Sequence, residues 1–292
     1  MPCQDDAHVV MSMHSTVTEL LKEAEQRLQH LDSARLDVEV LLAFVLNTGR
    51  EALYAHPEKT VQPDLAADFQ SLIAKRSDCF PIAYLTGHRE FWSVDLLVSQ
   101  DTLIPRPETE SLVEAALELI PEDASMNVLD IGTGSGAIAI AIARERPQCH
   151  VTASDISRDA LAVAQKNTVR FDIRNIGFKV SDWFSAFTGE VFDMVVCNPP
   201  YVDSQDSAFQ NGEIRYEPRI ALDGGYLGMQ MINHIIPATR DHLKQNAPLI
   251  LEHGYDQGES IRYQFISSNY VDVKSRFDYA GRERISMARK AK

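Results

Sequence analysis

The residues best suited to chemistry in this 292-residue sequence are Asn198, Pro199, Pro200 and Tyr201, directly after the strand-like run FDMVVC. Two consecutive prolines remove two backbone N–H groups and stiffen the turn, so its carbonyls are displayed to a ligand. The Asn198 side-chain oxygen and the Pro199 carbonyl can then accept both hydrogens of an –NH2 group. Tyr201 offers a flat apolar face to a planar amide or base. An amide or aromatic amine nitrogen is a poor nucleophile because its lone pair is delocalised into the π system. Two acceptors on its hydrogens return electron density to it and hold it in line for attack. Such catalysis rests on orientation and electrostatics and requires no strong general base.

A second constellation, DIGTGSGA (Asp130–Ala137), stands between a predicted strand and a predicted helix. Gly132, Gly134 and Gly136, with Thr133 and Ser135 between them, let the chain turn tightly and bring a ligand close to backbone at a helix N-terminus. Asp155 ends the next strand, 19 residues beyond Gly136, where its carboxylate can accept from both ribose hydroxyls. The loop alone is ambiguous. Gly132, Gly134 and Ala137 also satisfy the GxGxxA dinucleotide pattern, so NAD competes here with S-adenosylmethionine. The NPPY turn decides between them, since it lies on the same rim and hydride transfer has no use for it. The combination points to methyl transfer from S-adenosylmethionine to a planar nitrogen.

These groups need an open sheet to position them. From about residue 127 the sequence alternates strand and helix: NVLDIG, HVTASD, FKVSD, FDMVVCN and LILEHG read as strands, and 137–146, 158–170, 229–243 and 257–267 as helices. VDVKSRFDY and ERISMAR, joined at Ala280-Gly281, add an antiparallel pair, giving a mostly parallel seven-stranded sheet of Rossmann-like α/β type. Ligands bind such sheets at the carboxyl ends of the strands, beside the switch point. Before this domain (108–292) comes a linker, 81–107, where Trp92, Val94, Leu96 and Val98 alternate as in a hairpin. Residues 1–80 read as a small helical bundle. Its first helix begins near Thr16; a second is capped by Asp32 or Ser33, carries a stripe of Leu36, Val40, Leu41, Phe44 and Val45, and is ended by Gly49; a third opens at Pro63. The first dozen residues read as unanchored, with Met11 and Met13 as alternative starts.

A net charge of −14 disfavours nonspecific gripping of a phosphate backbone, and no direct nucleic-acid partner is expected. Cys3, Cys79, Cys149 and Cys197 form no CxxC, and the histidines form no HxxxH or HExxH, so neither a disulfide framework nor a metal site is expected. No apolar run suits a membrane span and the polar start resembles no signal peptide, which makes the cytoplasm the expected compartment. Nothing demands a dimer, so a monomer is expected.

GTGSG, Asp155, SDW (Ser181–Trp183) and NPPY together resemble the amino-methyltransferases, which act on adenine, cytosine or glutamine amides. Other segments narrow this. ARLDVEVLLAFVL (34–46), PIAYLTGHREFW (81–92), LIPRPETE (103–110), IRYEPRIALDGG (214–225) and LEHG (251–254) resemble the release factor glutamine methyltransferases, called PrmC or HemK, from about residue 16 to the C-terminus. The resemblance implies a class-1 peptide chain release factor as partner, methylated on the glutamine of its Gly-Gly-Gln loop, with S-adenosylmethionine as cofactor. It implies that Gly132–Gly136 and Asp155 hold the cofactor, and that Trp183 lies against its adenine beside Asp182. Asn198 would touch both cofactor and glutamine, Pro199, Pro200 and Tyr201 would cradle the glutamine, and the N-terminal bundle would help to grip the release factor. Three alternatives share parts of the pattern: a ribosomal protein glutamine methyltransferase, a nucleic-acid amino-methyltransferase with a basic face, and a cofactor-binding partner with a dead site, which intact Asn198 and Tyr201 disfavour. Arg106 and Glu108 could order the rim or be solvated; Glu217 could reach the substrate or brace Arg219; Glu252 and His253 read as structural. Many relatives carry Gly-Gly before the fifth strand, where this chain has Asn246-Ala247-Pro248.

Overall fold

A computed structural model describes residues 15–292 of the chain; Cys3, Met11 and Met13 lie outside the described residues. The chain divides into two compact units, the first ending at Thr86 and the second running from Gly87 to Lys292. In the first unit a two-residue strand pair, β1 (Ser15–Thr16) with β2 (Thr60–Val61), accompanies helices α1 (Val17–Arg27), α2 (Ala34–Val45), α3 (Arg50–Ala55), α4 (Pro63–Ser77) and α5 (Ile82–Thr86). Thr16 starts α1 with a capping box: its hydroxyl accepts from the Glu19 N–H, while the Glu19 carboxylate accepts from the Thr16 N–H. Pro63 occupies the first turn of α4, as its fixed φ favours. Val17, Leu20, Leu41, Leu42, Phe69 and Ile73 close the core of this unit.

Three expectations for this unit change. Gly49 does not end α2, which stops at Val45; it is the N-cap of α3, a helix too short to show a hydrophobic period. Ser33 stands at the α2 N-cap without capping, because its hydroxyl donates to the Asp37 carboxylate at 2.8 Å. Leu36 and Phe44, placed in the buried stripe, are exposed. α2 instead buries the charged residues Asp37 and Glu39, each neutralised by arginine: Arg76 Nε lies 2.7 Å from Asp37, and Arg35 and Arg50 flank Glu39.

The second unit opens with the antiparallel hairpin β3 (His88–Phe91) and β4 (Val94–Leu97), turned through Trp92 and Ser93, both left-handed. Trp92 is therefore the turn rather than part of the strand. Then follow α6 (Glu110–Leu119), β5 (Asn127–Ile131), α7 (Ala137–Glu145), β6 (His150–Asp155), α8 (Arg158–Arg170), β7 (Ile176–Val180), β8 (Met194–Cys197), α9 (Gln230–Thr239), β9 (Pro248–Glu252), α10 (Gly258–Ser267), β10 (Tyr270–Phe277) and β11 (Glu283–Lys290). The sheet order is β10-β11-β9-β8-β5-β6-β7, with β10 and β11 antiparallel and β9, β8, β5, β6 and β7 parallel. β7 lies two residues earlier than FKVSD suggested, and the helix expected over 229–243 closes in a 3-10 turn at Arg240–His242. Asn246 supplies the left-handed turn before β9, with φ 62°, a conformation asparagine tolerates better than most residues.

Strand residues alternate between two cores. Val128, Met194, Val196 and Ile250 face α6 and α7; Leu129, Val195, Cys197 and Leu251 face α9 and α10. Ala137–Ala143 of α7 are buried all round, so this helix carries no polar stripe. The chain switches from one side of β5 to the other between β7 and β8, which opens a crevice between β5 and β8.

The Asp37–Arg76 pair makes a stability prediction. Arg76→Met leaves a buried carboxylate without its cation and lowers unfolding free energy by about 3 kcal/mol in urea titrations, whereas Arg76→Met with Asp37→Leu recovers most of that loss.

Candidate active site

A cavity of about 490 Å³ opens at the carboxyl ends of β5, β6 and β8. Strand register builds it. Ile131 pairs with Ser154 on one side and with Cys197 on the other, and Cys197 pairs with Leu251. One residue further along, Asp155, Gly132, Asn198 and Glu252 stand in one row across four strand ends. Gly132, Gly134, Asp155, Asp182, Trp183 and Asn198 line the cavity, together with Pro199 and Pro200. Thr133, Ser135, Gly136 and Tyr201 lie behind its wall.

Gly132 and Gly134 have φ of 71° and 55°, and a Cβ at either would meet nothing within 4 Å. Their bare backbone thus faces open space in which a ligand can lie directly on the chain. The residues behind the wall hold this shape. Thr133 donates to Asp130 at 2.6 Å, the Ser135 carbonyl accepts from Asn167 at 2.9 Å, and Gly136 packs against Ala164 of α8. Asp155 accepts from the Gly134 N–H through Oδ2 and from the Ser157 N–H through Oδ1, both at 2.9 Å. Each oxygen keeps a lone pair for a further donor. Burial raises the Asp155 pKa, opposed by these backbone donors. Burial also pushes the Asp130 carboxyl up to about 7 from its ordinary 3.8, against the pull of Thr133. Trp183 is half-buried with a left-handed backbone, and its carbonyl is held by the Ser181 hydroxyl at 2.8 Å.

In the NPPY turn, Asn198 Nδ2 donates to the Thr109 hydroxyl at 3.1 Å. Among the described residues no donor reaches Asn198 Oδ1 or the Pro199 carbonyl, so both acceptors remain available. Tyr201 donates its hydroxyl to Glu252 at 3.0 Å, and its ring packs against the core beneath α9. Burial, then the Glu252 charge, raises the Tyr201 pKa. The turn is clamped from behind. Gln257 Nε2 donates to the Tyr201 carbonyl at 3.0 Å, and a Cβ on Gly224 would come within 2.8 Å of the Pro200 carbonyl and Tyr201 Cα. No residue with a side chain fits there.

Glu217 joins two other walls of the cavity. Its buried carboxylate accepts from the Ile104 N–H at 3.0 Å and pairs with Arg106. Leu103 and Pro218, neighbours of this brace, both line the cavity. Arg219 pairs instead with Asp223, at 3.0 Å, so the expected Glu217–Arg219 brace is replaced by one to Arg106. His253 lies buried between the Gly254 carbonyl at 2.8 Å and the Ser286 hydroxyl at 2.9 Å. The carbonyl requires a proton on Nδ1, so Nε2 accepts from Ser286, and burial lowers the pKa of this neutral imidazole.

Comparison with known proteins gives the family. Residues 110–215 match a family model described as methyltransferase small domain, and residues 19–87 match the PrmC N-terminal domain. The chain is 46% identical over 269 residues to a release factor glutamine methyltransferase of Escherichia coli, covering 92% of this chain and 97% of the relative. It belongs to the release factor glutamine methyltransferase family. A relative of the same name from Shewanella oneidensis is 40% identical, with 96% of this chain and 98% of the relative covered. The sheet also matches a crystal structure of a methyltransferase from Pyrococcus furiosus, with a TM-score of 0.52, 20% identity, 77% of this chain and all of that chain covered, which supports the fold.

Reading the sequence of this family member missed five supporting residues: Thr109, Asn167, Glu217 as a brace to Arg106, Glu252 as the partner of Tyr201, and Gln257 behind the NPPY turn. Asn167 did carry a signal. It sits in the buried stripe of α8 with Ala160, Leu161 and Ala164, where an amide must find partners. It finds three: the Leu97 N–H and carbonyl at 2.7 and 3.0 Å, and the Ser135 carbonyl.

Two predictions follow from these groups. Asn167→Leu strands those backbone groups; the expected loss is about 3 kcal/mol of stability by urea titration, with weaker S-adenosylmethionine binding by calorimetry. Asp130 is harder to ionise folded than unfolded, so its contribution to stability is full below pH ~4 and is lost as pH rises towards about 7. Unfolding titrations across that range should show Asp130→Asn gaining on the wild type as pH rises; a constant difference would refute the assignment.

Proposed function

We propose that the chain transfers a methyl group from S-adenosylmethionine to the side-chain amide nitrogen of the glutamine in the Gly-Gly-Gln loop of class-1 release factors. The observation that carries the reading is the pair of unoccupied acceptors, Asn198 Oδ1 and the Pro199 carbonyl, at a cavity whose opposite lip is bare glycine backbone. The family supplies the substrate class.

The residues present fit the cofactor. Gly132 and Gly134 leave room for a ligand on the backbone, and Asp155 retains lone pairs for the ribose hydroxyls. Trp183 and Asp182 stand on the β7 side, where an adenine would lie. When bound, S-adenosylmethionine supplies an electrophilic methyl on a positively charged sulfur. The protein's own part is positional. Asn198 and Pro199 take the two amide hydrogens, raise the electron density on nitrogen and fix its direction of approach. Pro200 and Tyr201 keep the turn from yielding. The methylated nitrogen is strongly acidic, so its proton departs to water without a dedicated base. The N-terminal unit, residues 1–80 by sequence, would help to grip the release factor. Among the described residues no helix is long and apolar enough to cross a membrane.

The test uses labelled S-adenosylmethionine with a purified release factor, the same factor with its loop glutamine changed to alanine, and a ribosomal protein mixture. Label is expected in the first alone. Asn198→Ala should lower kcat by about 100-fold or more. Label confined to ribosomal protein would overturn the substrate assignment and leave the chemistry of the turn standing.

A further inference from the structure

Among the described residues, two large aliphatic side chains both line the cavity and stand well exposed: Ile156, 49% exposed, and Ile220, 62% exposed. Ile156 follows Asp155, on the wall that also holds Asp182 and Trp183, so the adenosine of a bound cofactor would cover it. Ile220 belongs to the segment that returns to the NPPY turn, away from the residues assigned to the cofactor. We propose that Ile220 seats the release factor, packing against the main chain of the loop that carries the glutamine. The inference rests on the reading of the NPPY turn given above.

A single isoleucine on a convex surface means little. This one stands in a concave wall with Leu103, Pro200, Pro218 and Ala221, all lining the same cavity. Its backbone is fixed on both sides. Before it, the Glu217 carboxylate accepts from the Ile104 N–H at 3.0 Å. After it, the Leu222 carbonyl accepts from the Val202 N–H at 2.9 Å, and the Gly224 N–H donates to the Val202 carbonyl at 2.8 Å. Between these anchors runs a 3-10 turn, Arg219–Ala221. It is closed by the Ala221 N–H on the Pro218 carbonyl at 2.9 Å and by the Leu222 N–H on the Arg219 carbonyl at 3.0 Å. A β-branched side chain has few rotamers to lose, so a partner that packs on it pays little in order.

The charges nearby select the kind of surface that fits. Arg219 is the one cationic residue lining the cavity among the described residues, and it is engaged three ways. It pairs with Asp223 at 3.0 Å, donates to the Ser204 carbonyl at 3.1 Å and lies 4.7 Å from the centre of the Phe209 ring. A phosphate backbone needs cations free to replace its counterions, and Asp101, Asp155 and Asp182 on the same walls would repel it. A glycine-rich peptide loop carries no charge and little side-chain bulk. Its main chain can lie flat on the apolar wall while its glutamine extends to Asn198 and Pro199.

Steady-state kinetics at saturating S-adenosylmethionine, with cofactor binding by calorimetry, test this. In Ile220→Ser the KM for release factor should rise about tenfold, while kcat and cofactor Kd stay within about threefold of wild type. Ile220→Val keeps the apolar branch and should remain within about threefold in all three constants. Ile156→Ser should do the reverse, weakening the cofactor about tenfold and leaving the KM for release factor unchanged. A wild-type KM in Ile220→Ser, a fall in kcat without a rise in KM, or one shared pattern in the Ile156 and Ile220 variants would overturn the proposal. Should Asn198→Ala be fully active, the reading of the NPPY turn fails. An inactive Asn198→Ala beside an Ile220→Ser of wild-type KM sinks the seat at Ile220 alone.

Discussion

Everything at the site depends on the register of the parallel strands. Parallel pairing fixes which residues stand level, and side chains alternate strictly between faces. With Ile131 set against both Ser154 and Cys197, the glycine loop, the acidic residue after β6 and the NPPY turn begin at the same height. A slip of one residue in β8 would turn Asn198 to the α9 face and Cys197 into the site. The buried runs of β5, β8 and β9 resist that slip, because each residue belongs to one of two cores.

Around this frame the protein holds its irregular segments with buried polar side chains rather than with regular structure. Glu217 ties the Ile104 region to the segment after NPPY, Asn167 ties the glycine loop to the hairpin, and Gln257 holds the back of the NPPY turn. Each sits in low dielectric, where an unmade bond is costly and a made one is directional. The acceptors that face the cavity therefore stand on a support with little freedom to relax, as preorganised catalysis requires.

The loops that line the cavity were legible in the sequence because their demands are local. Glycines at positive φ and paired prolines declare themselves within a few residues, and the alternation of elements gives the sheet. The supports are non-local. Thr109 and Asn198 lie 89 residues apart, and Ile104 and Glu217 lie 113 apart, so their pairing exists only once strand order and register are known. Tyr201 shows the same limit: the motif identifies it, but only the fold reveals that its hydroxyl is committed to Glu252. In the first unit, α2 misled the hydrophobic pattern because it buries Asp37 and Glu39 and exposes Leu36 and Phe44.

The segment after NPPY leaves the site and returns to it. Val202 hydrogen-bonds to Leu222, Gly224 returns the bond to Val202, and Gly224 presses on the turn so closely that the excursion is closed at its base. Glu217 pins its returning limb a second time. Between Asp203 and Tyr216 the chain is thus a handle fastened at both ends, and the entropy of closing such a handle rises only slowly with its length. That stretch can change in length or sequence at small entropic cost while the residues at the strand ends keep their places.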